Sequence, residues 1–267
     1  MNRNSYITQR KLERYDTDLP KRDLILLCDL DDCRYLTTGQ IARLRFEDDH
    51  ANPDAALRAA NRMVNRLKDQ GLITALDRRV GGVRGGSKGL IWSLTPSGYK
   101  MLHLNNGEAD KPRRRRFEPS PQFAKHTLAI AEAYIQLSRI PGITLIKAEF
   151  EPACWRSYYG TMLRPDLFAV TSDGEYEDYW FIELDLDTEA PSRCIAKCRL
   201  YEIYYGTGQE QRQHGLFPKV VWITVSEKRQ NSLQGQIAAS KELKRKSLFT
   251  VIRPDELDAL IRKGAGI

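Results

Sequence analysis

The chain has 267 residues, 41% hydrophobic and 29% charged. That composition excludes a disordered or fibrous chain, and no apolar run reaches the ~18 residues of a membrane span. The basic excess lies in the first part. Residues 1–116 hold 23 Lys and Arg against 15 Asp and Glu, residues 117–267 hold 19 against 20, and residues 55–116 alone hold 14 against 4. A basic part joined to a neutral one points to a polyanionic partner for the first. MNRNSYITQRKLERYD lacks the apolar core of a signal peptide, so a cytoplasmic location is expected, with no membrane partner. Cys28, Cys33, Cys154, Cys194 and Cys198 offer no CxxC or nearby His pair. They read as small buried thiols rather than disulfides or a zinc site.

In chain order, DLILLCDLDDC (23–33) has apolar residues at helical spacing. Thr37 or Thr38 then caps a short helix, TGQIARLRF, with Ile41 and Leu44 facing inward. An acidic loop, 47–54, leads to the strongest helical pattern of the chain, Ala55–Gln70, which Gly71 stops. LITALDRR and GLIWSL read as two strands around a glycine-rich turn, and Thr95-Pro96 opens another helix. ADKPRRRRFEPSP (109–121) has the composition of an exposed linker. Beyond it a helix is expected at about Phe123–Arg139, then strands at Ile143–Phe150, Leu167–Val170 and Tyr179–Asp185. A helix at Ser192–Tyr205, the strand VVWITV, a polar helix at about Asn231–Lys244, a strand LFTVI and a terminal helix from Asp255 complete the pattern. The expected fold is α+β with two domains. Residues 1–108 are expected as a winged helix-turn-helix, 109–121 as a basic linker, and 122–267 as an α/β domain.

Three helices followed by a hairpin place Ala55–Gln70 as the reading helix. Ala56, Ala59, Ala60, Met63, Val64 and Leu67 form one apolar stripe; Arg58, Asn61, Arg62, Asn65 and Lys68 fall opposite it. Arg and Asn suit base edges, because a guanidinium forks onto guanine and a carboxamide onto adenine. Lys68, Arg66 and Arg43 suit phosphates. The hairpin tip adds Arg78, Arg79, Arg84 and Lys88 among glycines, and the linker adds Arg113, Arg114, Arg115 and Arg116. The tip matches neither GxxxxGK[ST] nor GxGxxG, which argues against a nucleotide loop.

In the second half, residues 166–189 hold nine acidic residues and no basic one. Asp166 follows Arg164-Pro165, and WFIELDLD puts Glu183 and Asp185 on one face of a strand. Convergence of these three carboxylates would suit Mg²⁺ or Mn²⁺ and water activation at a phosphodiester; without it no cofactor is expected. Lys197 and Tyr201 lie on the next helix. His126 and Glu132 lie on the first helix of this half, His126 read mainly as a hydrogen-bonding residue at the core rim and otherwise as one that would orient a carboxylate, and Glu132 as a further acid. Tyr134, Tyr158, Tyr159, Tyr201, Tyr204 and Tyr205 read mainly as packing residues, since a strand-transfer tyrosine normally works beside a histidine cluster.

PD…ExD on a helix–strand–strand–strand–helix layout resembles the PD-(D/E)xK nuclease superfamily, with Asp185 where that pattern has lysine. The resemblance implies Asp166, Glu183 and Asp185 as metal ligands and catalytic acids, with Lys197 replacing the missing cation. Over nearly the whole chain, RDLILLCDLDDCRYLTTGQIARLRF, LTPSGYKML, FAKHTLAIAEAYIQL and LRPDLFAV…FIELDLDTE…KCRLYEIYY resemble the replication-relaxation family of plasmids and other mobile elements. Pro165, Asp166, Glu183, Asp185, Lys197, Tyr201 and His126 match its pattern. The resemblance implies a winged helix on double-stranded DNA joined to a nuclease-like domain, acting in replication, mobilisation or transcriptional control. The departure at Asp185 favours a non-catalytic second domain. Two alternatives stand beside this reading: a metal-dependent endodeoxyribonuclease, and a module recruiting replication or mobilisation proteins. A homodimer fits the first reading.

Overall fold

The structure, a computed structural model, describes residues 18–79, 89–103, 119–187 and 190–266. It is α+β, and the chain divides into two compact units, Met1–Ile135 and Gln136–Ile267.

In the first unit, α1 (Lys21–Cys33) buries Leu26, Leu27, Leu30 and Cys33. Strand β1 (Leu36–Thr37) ends on Thr37, which caps α2 (Thr38–Arg45). The Thr37 hydroxyl accepts from Gln40 N, and the Gln40 amide accepts from Thr37 N, so two amides that lack helical partners are satisfied at once. A 3-10 turn at Glu47–Asp49 fills part of the expected acidic loop. Helix α3 spans Pro53–Asp69, starting two residues before the expected Ala55, because Asn52 caps it and Pro53 occupies its first turn. Gly71, at φ +78°, turns the chain out of it. Strands β2 (Ile73–Arg79) and β3 (Leu90–Leu94) are antiparallel, and β1 joins β3 on its other side. The buried Trp92 indole of β3 donates to the Thr38 hydroxyl at 2.8 Å, tying sheet to α2. Helix α4 (Pro96–Leu102) starts on the expected Thr95 cap.

Helix α5 spans Pro121–Ser138. Expected to open the second domain, its described polar contacts lie in the first unit. Gln40 Nε2 donates to Leu128 O at 2.9 Å, and the Tyr35 and Phe123 rings meet edge to face.

The second unit is built on a five-stranded mixed sheet. β4 (Thr144–Phe150), β7 (Leu167–Ser172) and β8 (Glu177–Asp185) run antiparallel; β8, β9 (Lys219–Thr224) and β10 (Phe249–Ile252) run parallel. The spatial order is β10-β9-β8-β7-β4. A parallel join needs a crossover, supplied by α6 (Pro191–Thr207) and the short α7 (Gln209–His214) before β9, and by α8 (Glu227–Ala239) before β10. Both α6 and α8 contribute to one core with the strands: Cys194, Cys198, Tyr201 and Tyr204 from α6, Leu233 and Ile237 from α8, and Phe168, Phe181, Val220, Trp222 and Val251 from the sheet. A hairpin absent from the sequence reading, β5 (Arg156–Tyr158) and β6 (Thr161–Leu163), closes this core with Tyr158 and Leu163. Helix α9 (Leu257–Lys263) ends the described fold. All five cysteines are free, and four are buried. Cys28 departs from the expectation: it is exposed, on the polar side of α1. Among the described residues no helix is long and apolar enough to cross a membrane.

Candidate functional site

Two candidate centres follow from the residues singled out above, one in each unit. The first is α3. Its stripe of Ala56, Ala59, Ala60, Met63, Val64 and Leu67 is buried as the spacing predicts. Full burial of each large member contributes about 1.5–3 kcal/mol, which fixes the rotation of the helix and so what it presents outward. Arg58, Arg62, Asn65, Arg66 and Lys68 are exposed. Arg58, Arg62 and Asn65 stand at i, i+4 and i+7, one row along the helix. Asn61 is different. It is half-buried, and its amide donates to Leu57 O, one turn back, at 2.9 Å.

The flanking guanidiniums are held by acids. Arg66 binds the buried Asp23 of α1 through Nε at 3.0 Å and Nη2 at 2.6 Å. Arg43 of α2 lies against Glu132 of α5, with Nη1 and Nη2 each 2.5 Å from a carboxylate oxygen. Arg45 is likewise bound to the buried Asp29. Three of the unit's arginines thus hold helices together, a role that helical spacing alone does not reveal. Arg78 and Arg79 end β2, but their side chains, like Arg84, Lys88 and Arg113 to Arg116, lie outside the described residues.

The second centre lies in the sheet of the second unit. Asp166 immediately precedes β7, and Leu167 pairs with Ile182, so Asp166 abuts Glu183 across the antiparallel ladder. Its Oδ2 accepts from Leu184 N at 2.8 Å. The Glu183 side chain is 1% exposed, and Lys197 of α6 reaches its Oε2 at 2.5 Å and Asp166 Oδ1 at 3.9 Å. Tyr201, one turn further along α6, donates its hydroxyl to Glu183 Oε1. Asp166, Glu183, Lys197 and Tyr201 therefore lie together. Asp185, two residues on, shares their face of β8 but has another partner: Arg229 of α8 donates through Nε to its Oδ2 at 2.5 Å, and Asp187 N donates to its Oδ1 at 2.9 Å.

Burial pushes the Glu183 carboxyl up to about 8, against the pull of Lys197, and the Asp166 charge adds to the rise. Burial and the Glu183 charge drive the Tyr201 hydroxyl well above its ordinary value. Both groups are desolvated.

These residues do not fit Mg²⁺ or Mn²⁺ as arranged. Both oxygens of Glu183 and both of Asp185 are taken by donors of the protein, and the three carboxylates are almost fully buried. Among the described residues, no group of three or more His, Cys, Asp and Glu side chains is placed to hold a metal ion. A cation would first have to displace the Lys197 ammonium and the Arg229 guanidinium.

Sequence reasoning missed Arg229. It lies before the expected start of the polar helix at Asn231, yet the Ser226 cap starts α8 at Glu227, and Arg229 meets the end of β8. Sequence reasoning also missed Glu210. That buried acid of α7 takes Arg156 Nε at 2.9 Å and the Tyr204 hydroxyl at 2.6 Å, while Arg156 stacks 4.6 Å from the Phe168 ring centre. Of the remaining candidates, His126 is half-buried on α5, and Glu132 is the partner of Arg43. Tyr158, Tyr201 and Tyr204 are core residues, Tyr134 and Tyr205 are half-buried, and Tyr159 is exposed.

Compared with known families, the chain matches the replication-relaxation family over residues 27–220. No curated protein and no solved structure matches it.

Proposed function

The chain belongs to the replication-relaxation family, and on that premise we propose that it binds double-stranded DNA of a plasmid or other mobile element through its first unit. The family suggests a role in replication of such an element; mobilisation and transcriptional control are roles of the same chemistry. In this reading the first unit is a winged helix and α3 enters the major groove. The observation that carries it is the exposed row of Arg58, Arg62 and Asn65, opposite a stripe buried deeply enough to fix its direction. Lys68 and the arginine-rich segments supply sequence-independent attraction to phosphates. Arg43 and Arg66, each already bound to a carboxylate, contribute structure first. The second unit is a nuclease-like domain without catalysis, its acids occupied by Lys197, Tyr201 and Arg229.

A gel shift on duplex DNA from the protein's own locus, with and without Mn²⁺ and at two salt concentrations, tests this. The expected result is a shift that weakens steeply with salt and leaves the DNA intact, because bound Arg and Lys release counterions. Arg58→Ala with Arg62→Ala should erase the preference for the locus over unrelated duplex. Retention of that preference would dismiss α3 as the reading helix.

The alternative reading, a metal-dependent endonuclease, would need a cation to displace Lys197 from Glu183 and Arg229 from Asp185. It requires Mn²⁺-dependent cutting by the wild type that Asp166→Ala abolishes.

A further inference from the structure

The second unit has a charge asymmetry that its acidic centre does not use. Glu183 and Asp185 lie at the C-terminal end of β8, where Asp185 pairs with Thr224, the last residue of β9. The opposite end of the same sheet is basic. Lys219 is the first residue of β9, and its ammonium donates to Ser247 O at 2.6 Å, in the segment leading to β10. That segment carries Lys244, Arg245 and Lys246, all exposed, and Lys263 closes α9 nearby, also exposed.

The segment is anchored. The Glu202 carboxylate of α6 accepts from the backbone amides of both Lys244 and Arg245. Arg245 stacks 4.7 Å from the Tyr205 ring centre, and Lys246 donates to Ala238 O at 2.5 Å, near the end of α8. The acids nearby are committed elsewhere: Glu202 to those amides, Glu242 to Arg199 at 2.9 Å, and Asp178 to Ala265 N at 3.0 Å. Burial, together with the neighbouring Lys263 ammonium, lowers the pKa of Lys219. Two like charges are thus kept close at the start of β9.

We propose that Lys219, Lys244, Arg245, Lys246 and Lys263 form a second nucleic-acid surface, which holds the phosphate backbone of duplex DNA at the end of the sheet away from Asp166 and Glu183. A cluster of ammonium and guanidinium groups on an anchored segment fits a polyanion whose charges recur every ~1.7 Å along its axis. With no groove-reading element in the patch, it positions DNA without selecting sequence. The surface rests on the DNA-binding reading of the first unit and extends the footprint beyond it.

The test uses the full-length protein. Lys244→Gln with Lys263→Gln removes two exposed charges, and an unchanged melting temperature confirms the fold. Binding to locus and to unrelated duplex is measured by fluorescence anisotropy across a salt series, beside Arg58→Ala with Arg62→Ala. Each lost phosphate contact lowers the slope of log K against log salt by about 0.9. The expected result is a slope shallower by about 2 on both duplexes, with the preference for the locus retained. An unchanged slope in the lysine variant, while the wild type binds DNA, overturns this surface and leaves the first-unit reading intact. A wild type that binds no duplex overturns both. Binding to vesicles of anionic phospholipid, lost in the lysine variant while DNA binding is untouched, assigns the patch to a membrane surface and overturns its assignment to DNA.

Discussion

The Arg43 guanidinium lies against the Glu132 carboxylate in a two-pronged pair, each contact 2.5 Å, joining α2 to a helix 89 residues further along. Gln40, which completes the cap of α2, donates its amide to Leu128 O at 2.9 Å and to Glu132 at 3.3 Å. One turn of α2 thereby grips one turn of α5. Burial opposes ionisation of Glu132, but the hydrogen bonds and charge of Arg43, with the Gln40 amide, outweigh it and lower its pKa.

A double-mutant cycle separates this role from phosphate binding. Both side chains are about a third exposed, so the pair is worth about 1 kcal/mol, not the several of a buried one. Arg43→Ala and Glu132→Ala should each lower the melting temperature by a few degrees, and the double variant by less than the sum of the two. DNA affinity should follow stability alone. If Arg43→Ala weakens DNA binding well beyond Glu132→Ala, the guanidinium touches phosphate after all. The lowered pKa adds a pH signature. Stability from Glu132 is present above the ordinary carboxyl value of 4.5 and is lost as pH falls through the lower folded value. Wild type and Glu132→Ala should therefore converge in acid.

Glu183 has the opposite sign. Its folded pKa is raised to about 8 from 4.5, so the folded state keeps a proton that the unfolded chain releases. Its contribution is fully present below pH 4.5 and declines as pH rises to about 8. Glu183→Gln keeps the shape and loses this dependence. Thermal unfolding from pH 5 to pH 9 should show the wild type losing stability relative to Glu183→Gln across that window, then running parallel. Parallel curves throughout would mean that the Lys197 ion pair holds the carboxylate ionised in the folded protein.

What the sequence could and could not reveal follows the range of each interaction. The caps at Thr37 and Thr95 and the stripe of α3 are legible because they depend on residues three or four apart. The meeting of Asp166 and Glu183 is not legible in this way, because it depends on the register of β7 against β8. The Arg43–Glu132 and Asp185–Arg229 pairs bridge 89 and 44 residues, and nothing local marks an arginine that turns inward. The β5–β6 hairpin escapes for another reason. Its strands are three residues each, too short for alternation to stand out, and its turn uses Tyr159 at positive φ before Gly160.

Asp185 and Arg229 are almost fully buried, with side chains 2% and 6% exposed. Removing one partner from such a pair leaves an uncompensated charge, at a cost of about 3–5 kcal/mol. Arg229→Ala should be among the most destabilising single changes in the second unit, read as a large drop in the urea midpoint. Asp185→Asn, which keeps an acceptor for the guanidinium and for Asp187 N, should cost less. Arg229→Met with Asp185→Leu should recover much of the loss, since packing replaces the pair. If Arg229→Ala is instead nearly silent in wild-type background but Mn²⁺ then stabilises it, the guanidinium is a stand-in for a metal ion rather than a fixed counter-ion.

Gly98 explains part of the LTPSGYKML segment that follows β3. Thr95 caps α4 and also donates its hydroxyl to Gly71 O at 2.6 Å, while Thr95 N donates to Leu72 O at 2.9 Å. The first turn of α4 is thus pinned on the backbone that leaves α3. A Cβ at Gly98 would stand 2.1 Å from Leu72 O, a backbone atom with no rotamer by which to retreat. The absence of a side chain here is a matter of close approach, since Gly98 is helical. Gly98→Ala, which would stabilise an exposed helix by about 1 kcal/mol, should here cost about 1–3 kcal/mol as an overpacked contact. Leu72 connects α3 to β2, so the strain falls next to α3. Urea unfolding of Gly98→Ala should show the lower midpoint, and its DNA affinity should drop with it. A variant as stable as the wild type would mean that α4 can lift from Leu72 without disturbing α3.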